Sequence, residues 1–372
     1  MTRHRSTASL TPLHHGRQLN AIESLRGVAA LLVVFYHLVA LMRVAAPPQL
    51  GFIASHFGLG VPLFYTLSGF VLAYGYADRL NSRGMLLAFY ARRYFRIAPL
   101  FYTMLVLWLL TNRIVWHRTF GASTLALNLS FLFGLVPGRQ ESIVWAGWSV
   151  GIEMLFYLLF PWLMLGLRRF GPTLLALALA CLLSAWVQSA FAAAGLGGYA
   201  YMNLLTHLPF FLAGIAAYRA WQVLQLTERP GLGAICALLA ALLGAVLYSD
   251  RGYGMIDAAL GQHAGMLAWS AVFALLILAT GLRRWPLLER GPLCALGRRS
   301  FSLYLVHPLL MVLLIKLGLP AAVRPMGAWV GFATAAAVTL ALLITVASVS
   351  FRAVELPGIA LGRHVARRAA AL

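Results

Sequence analysis

The stretch RGVAALLVVFYH runs from Arg26 to His37 and sets an arginine and a histidine eleven residues apart in an otherwise apolar segment. On an α-helix, eleven residues are three turns plus about 20°, so both side chains lie on one face, roughly 16 Å apart along the axis. A guanidinium binds anions, and an imidazole accepts a proton near neutral pH. One face therefore carries an anion-binding end and a candidate general base, separated by a reach suited to an extended ligand. Glu23, three residues before Arg26, is placed to pair with it. The alternative reading is a packing histidine bonded to backbone, with an arginine that anchors the helix at an interface.

Four further stretches carry reactive or binding groups. In ARRYFRIAPLFY, Arg92, Arg93 and Arg96 crowd what reads as the start of the third apolar helix. Guanidinium forks match phosphate geometry, and a helix N-terminus would add its free N–H groups, so the cluster suits a phosphate-rich ligand. Its other reading is topology, because basic residues collect at cytoplasmic helix ends. In FYTLSGF, the Ser68-Gly69 step permits close backbone approach, and Ser68 can hydrogen-bond a ligand. No adjacent base marks Ser68 as a nucleophile. In WSVGIEMLFYLLFPW, Glu153 lies among apolar and aromatic residues and must be neutral, or paired with an arginine, a histidine or a ligand. In GRRSFSLYLVHPLL, His307 precedes Pro308, whose missing N–H breaks the helix ladder and can free the ring to face a cavity. His207 completes the ionisable groups placed within apolar runs. No His/Cys/Asp cluster stands at metal-ligand spacing, so the chemistry is expected to need no metal and no bound cofactor.

The elements that must position these groups are membrane helices. The chain has 372 residues, 62% of them apolar and only 10% charged, far from the roughly one-quarter charged residues of a soluble domain. Apolar runs near 22–42, 57–77, 97–112, 121–137, 148–168, 172–193, 202–222, 231–248, 261–282, 300–318 and 327–350 give eleven candidates for crossing a bilayer. Charge decides among them. If 121–137 does not span, Arg168/Arg169, the Arg283–Arg299 group and Arg363/Arg367/Arg368 all fall on the same side as Arg3, Arg5 and Arg17, as the positive-inside rule requires. That segment also holds Asn128, Ser130 and two glycines. The expected fold is an all-α polytopic membrane protein of about ten transmembrane helices in one bundle, with both termini cytoplasmic and 121–137 re-entrant or interfacial. Residues 1–20 read as a disordered basic tail, 21–355 as the membrane domain, and 356–372 as a basic cytoplasmic tail. The net charge of +20 is spent on loop arginines, which argues for anionic lipid headgroups and against nucleic acid. Cys181, Cys236 and Cys294 are far apart and read as small core residues.

Taken in order, IESLRGVAALLVVFYH, FYTLSGF, RRYFRIAPLFY, WSVGIEMLFYLLFPW and GRRSFSLYLVHP resemble the acyltransferase 3 family of bacterial integral-membrane O-acyltransferases along nearly the whole chain. The resemblance implies a cytosolic acyl-CoA donor, often acetyl-CoA, and a hydroxyl on a carbohydrate, glycolipid or related acceptor, in the cytoplasmic (inner) membrane of a bacterium. It carries the family's Arg-to-His pair onto Arg26 and His37, its Arg-x-x-Arg signature onto Arg93 and Arg96, and its serine-glycine step onto Ser68 and Gly69. Met154 stands where many members have a second acidic residue; the Glu-Met version is similar to members that modify exopolysaccharides. The implied chemistry makes His37 the general base, with Glu153 or His307 orienting its ring or stabilising the oxyanion. Arg92, Arg93 and Arg96 would hold the donor phosphates, with Arg26 and Ser68 along the donor's path. The competing class is a transporter or channel for an organic anion, which would also use arginine-lined helix ends and buried histidines. The chain's lack of an internal repeat weighs against it.

Overall fold

The computed structural model describes residues 12–371 apart from 228, 230 and 262, with side chains from residue 20 onward. Ten long helices follow the apolar runs. They are α1 (Pro12–Ala40), α2 (Gly60–Tyr76), α3 (Arg83–Val115), α4 (Trp148–Gly166) and α5 (Phe170–Ala193), then α6 (Leu204–Leu224), α7 (Leu232–Tyr248), α8 (Ala264–Leu282), α9 (Ser300–Lys316) and α10 (Ala328–Ser350). Among the described residues, eight helical stretches are long and apolar enough to cross a membrane. Two bent pairs, α7 with Asp250–Leu260 (91°) and Pro292–Arg298 with α9 (79°), raise the number to ten. The protein is an all-α polytopic membrane protein.

The run 121–137 forms only a nine-residue helix, Ala122–Ser130, and a 3₁₀ turn, Phe133–Leu135. Nine residues rise about 14 Å, less than half of a hydrocarbon core of roughly 30 Å. The piece is held by the buried Asn128, whose Oδ1 accepts hydrogen bonds from Ser142 Oγ (2.7 Å) and the Ile143 N–H (3.0 Å). With this segment folded back, an alternating path through ten helices puts the loops bearing Arg79, Arg168/Arg169 and Arg283/Arg284 at one end of the bundle, the clustering the positive-inside rule predicts.

Two of the expected boundaries look different in three dimensions. Residues 1–11 of the basic N-terminal tail lie outside the described residues, and 12–20 already belong to α1. The basic segment after 355 is a helix, α11 (Leu356–Ala370), lying antiparallel on the first half of α3. Glycines make this contact: a Cβ at Gly84 would come 2.7 Å from the Ala369 carbonyl oxygen, and one at Gly358 2.8 Å from that of Phe95. α3 is thus 33 residues long, about 50 Å, and runs well beyond the bilayer core at its arginine-rich end.

The α2–α6 crossing fixes the centre of the bundle. A Cβ on Gly69 would fall inside the Phe211 carbonyl, and one on Gly214 inside that of Thr66. Small residues let two backbones touch where lipid supplies no hydrophobic driving force between helices. The Ser68-Gly69 step performs the packing role expected of it and holds Ser68 against α4.

Candidate active site

His37 and His307 meet across α1 and α9. His307 Nε2 lies 3.1 Å from His37 Nδ1, and the ring centroids are 4.9 Å apart. Both protons can be assigned from the other contacts. His307 Nδ1 lies 2.5 Å from the Tyr304 carbonyl oxygen, and a carbonyl can only accept, so the His307 proton is on Nδ1 and its Nε2 is an acceptor. His37 Nδ1 lies 2.9 Å from the Val33 carbonyl oxygen and must likewise carry the proton, shared between that carbonyl and His307 Nε2. The lone pair of His37 is left on Nε2, which makes no hydrogen bond among the described residues and is not closed off from solvent. Pro308 explains why this works: its missing N–H leaves the Tyr304 carbonyl, four residues back, without its helical donor. His307 Nδ1–H takes that vacant acceptor.

His37 lines a cavity of about 580 Å³ whose other walls come from the outer ends of the helices and the loops between them. Tyr304 lines this cavity and also a smaller one of about 50 Å³ beneath it, which contains Arg26, Ser68, Glu153 and Ser300. The Tyr304 hydroxyl donates to the Ala146 carbonyl (3.1 Å) and bonds Ser149 Oγ (2.7 Å), which fixes the ring between the two spaces. Glu153 Oε1 accepts from Ser68 Oγ (3.0 Å) and from the Tyr157 hydroxyl. Its partners are therefore hydroxyls, and among the described residues no arginine or histidine forms an ion pair with it. Arg26 Nε donates to Ser300 Oγ (3.3 Å) and lies 3.9 Å from Glu23, the pairing expected from their spacing.

The arginine cluster lies one step further toward the arginine-rich end of the bundle. Arg93 donates to the Tyr76 hydroxyl (3.2 Å), and its guanidinium lies 5.3 Å from the Tyr76 ring and 5.9 Å from the Tyr157 ring. Because the Tyr157 hydroxyl reaches Glu153, a continuous polar track joins the arginines to the inner pocket. One expectation fails here. α3 starts at Arg83, capped by Ser82 Oγ accepting from the Met85 N–H (3.2 Å). Arg92, Arg93 and Arg96 therefore sit in the helix interior, where the backbone N–H groups are already bonded. Only their guanidinium groups can meet an anion. The cause is the α11 contact, which keeps the less apolar stretch before Arg92 helical.

The structure thus joins His37 to His307, and gathers Arg26, Ser68 and Glu153 around one pocket, with Arg92, Arg93 and Arg96 below it. It does not bring Glu153 to His37. His207 is also apart: its Nε2 lies 2.8 Å from the Tyr201 carbonyl oxygen, in a cage formed by Tyr65, Trp148 and Tyr201. Sequence reasoning missed Tyr157, although it stands four residues after Glu153, a spacing that faces it on a helix. It also missed Glu355. That buried carboxylate ends a π-helical turn, Phe351–Glu355, and accepts from Ser302 Oγ at 2.8 Å. A lone acid just past an apolar run was the available signal.

Comparison with known proteins agrees with this architecture. A family model described as an acyltransferase domain matches residues 19–347, nearly the whole membrane bundle. The chain belongs to this acyltransferase family. Its apolar helices make it a multi-pass membrane protein. It is 30% identical over 172 residues to "Putative acetyltransferase ORF330" of Acidianus two-tailed virus. That match spans 46% of this chain and 47% of the viral protein, about half of each. No solved structure matches the chain.

Proposed function

We propose that this acyltransferase moves an acyl group, in the simplest case acetyl, from cytosolic acyl-CoA to a hydroxyl of a saccharide or related acceptor on the far side of a bacterial cytoplasmic membrane. The observation that carries the reading is the proton arrangement at His37, which leaves the Nε2 lone pair of a cavity-lining residue unused. In this mechanism Nε2 takes the proton as the acceptor oxygen attacks the thioester carbonyl. The new C–O bond forms, the C–S bond breaks, and the departing thiolate is protonated by the imidazolium. His307 positions the ring and shares the charge that develops on it. Arg92, Arg93 and Arg96 bind the donor phosphates through paired hydrogen bonds, and the pantetheine arm follows the track past Arg26 and Ser68. Glu153 belongs to that donor path and not to the base. Only the acyl group then needs to cross the membrane.

His37→Gln tests it. Glutamine keeps a hydrogen-bonding side chain of similar reach but accepts no proton under working conditions, so transfer of label from acetyl-CoA should fall about 10²–10⁴-fold, the usual contribution of a general base. Donor binding should survive, because the arginines are untouched. Wild-type turnover should fall on acidification, since protonated imidazole has no lone pair to offer. Near-normal turnover in His37→Gln would leave the histidine a packing role. An anion transporter would give no acyl transfer in the wild type.

A further inference from the structure

The outer cavity carries more information than its link to His37. Its walls are aromatic: Tyr36, Trp145, Trp148, Tyr201, Tyr253 and Trp269 all line it. The Trp145 ring stands 6.3 Å from the His37 ring at 67° and is 38% exposed, so it offers a flat face beside the candidate base. Trp148 is packed against Tyr201 (5.3 Å between centroids), which makes that wall rigid. At about 580 Å³, the space falls within the roughly 300–1,000 Å³ of ordinary small-molecule sites. Flat rings with few polar groups suit the C–H faces of a sugar ring, whose hydroxyls then need acceptors at the edge.

The charges at that edge are unexpected for this protein. Its 29 basic residues outnumber nine acidic ones, yet among the described residues no arginine or lysine lines the cavity, while Glu141 and Asp250 both do. Both are exposed, and neither makes an ion pair or hydrogen bond among the described residues. Two free carboxylates can accept hydrogen bonds from sugar hydroxyls or an ammonium, and they repel an anion. We propose that the outer cavity is an acceptor site selective by charge: it takes a neutral or amine-bearing sugar ring on Trp145 and rejects one bearing a carboxylate, with Glu141 and Asp250 as the discriminating residues. The inference rests on the reading that His37 acts on an acceptor hydroxyl in this cavity. On that reading, discrimination precedes chemistry and is a property of binding.

Equilibrium dialysis of purified protein with radiolabelled methyl glucoside, methyl glucosaminide and methyl glucuronide tests it without requiring turnover. The glucoside and glucosaminide should bind about tenfold tighter than the glucuronide, as expected for rejection built from like charges. The double variant Glu141→Gln, Asp250→Asn changes two exposed side chains by one atom each and should remove most of that difference. Trp145→Ala should weaken all three sugars together. The proposal is overturned by glucuronide binding as tight as glucoside binding, by no saturable binding of any of the three, or by full discrimination in the double variant. Labelled acetyl-CoA added to the same samples separates this idea from the one beneath it. Charge discrimination without transfer to the glucoside counts against the acyl-transfer reading alone, and transfer without discrimination counts against the charge-selective cavity alone.

Discussion

At the scale of single residues, the arginines show why charge and geometry have to be considered together. Arg93 is held over two tyrosine rings and donates to Tyr76, while its Nε is buried without a partner among the described residues. An arginine that only set topology would have no reason to be oriented this way. Replacing Arg93 and Arg96 by alanine should raise the acyl-CoA dissociation constant about tenfold or more, since a hydrogen bond to a charged group contributes roughly 1.5–3 kcal/mol. Lysine at both positions should restore part of the affinity, because an ammonium keeps the charge but loses the fork. Calorimetric titration of the purified protein with acetyl-CoA reads both effects. Unchanged affinity in the double alanine variant would leave these residues as topology determinants.

At the scale of one element, α9 is built around a missing hydrogen bond. Pro308 leaves the Tyr304 carbonyl open, His307 fills it, and the tautomer of His307 follows, which in turn places the proton of His37. Pro308→Ala supplies an N–H that competes for the same carbonyl. Helix α9 should be no less stable, because alanine is a far better helix former than proline. Turnover should nonetheless drop about tenfold, part of the contribution of a well-oriented base, with the KM for acyl-CoA unchanged. A fall in kcat alone, at an equal or higher melting temperature, is the signature of lost orientation. Equal kcat would show that the histidine pair holds itself in register without the proline.

At the scale of the whole molecule, the ten-helix path and the charge distribution require each other. The non-spanning segment 122–135 sends every later helix back in the opposite sense, and puts the Arg283–Arg299 loop at the end that holds Arg79 and Arg168/Arg169. A cysteine at position 139 should react with a membrane-impermeant thiol reagent from outside in intact cells, and one at position 288 only after permeabilisation. Labelling of 139 from the cytoplasmic side would reverse the bundle and move the aromatic cavity to the wrong face for the proposed acceptor. On the proposed function, the same path gives donor and acceptor separate spaces: the inner pocket with Arg26 and the aromatic cavity meet at Val61 and Tyr304, which line both.

The amino-acid sequence by itself determined the class, a bundle of about ten apolar helices, and most of the ionisable groups that lipid should not tolerate, Glu355 excepted. These are local properties: an apolar run of bilayer length declares a span wherever it lies, and a loop arginine declares a side. The Ser68-Gly69 contact and the Glu23–Arg26 pair were legible for the same reason, since small size and a three-residue spacing act within one helix. Tertiary structure alone decided that His37 meets His307, 270 positions away, and that Glu153 is held by Ser68 and Tyr157 instead. It also decided that α3 begins at Arg83 and that Glu355 turns inward. Each depends on where helices cross and which faces they turn to one another. In a bundle where nearly every surface is apolar, hydrophobic patterning distinguishes those faces only weakly. Close glycine contacts and a few hydrogen bonds choose among the crossings, and these are made between residues far apart in the chain.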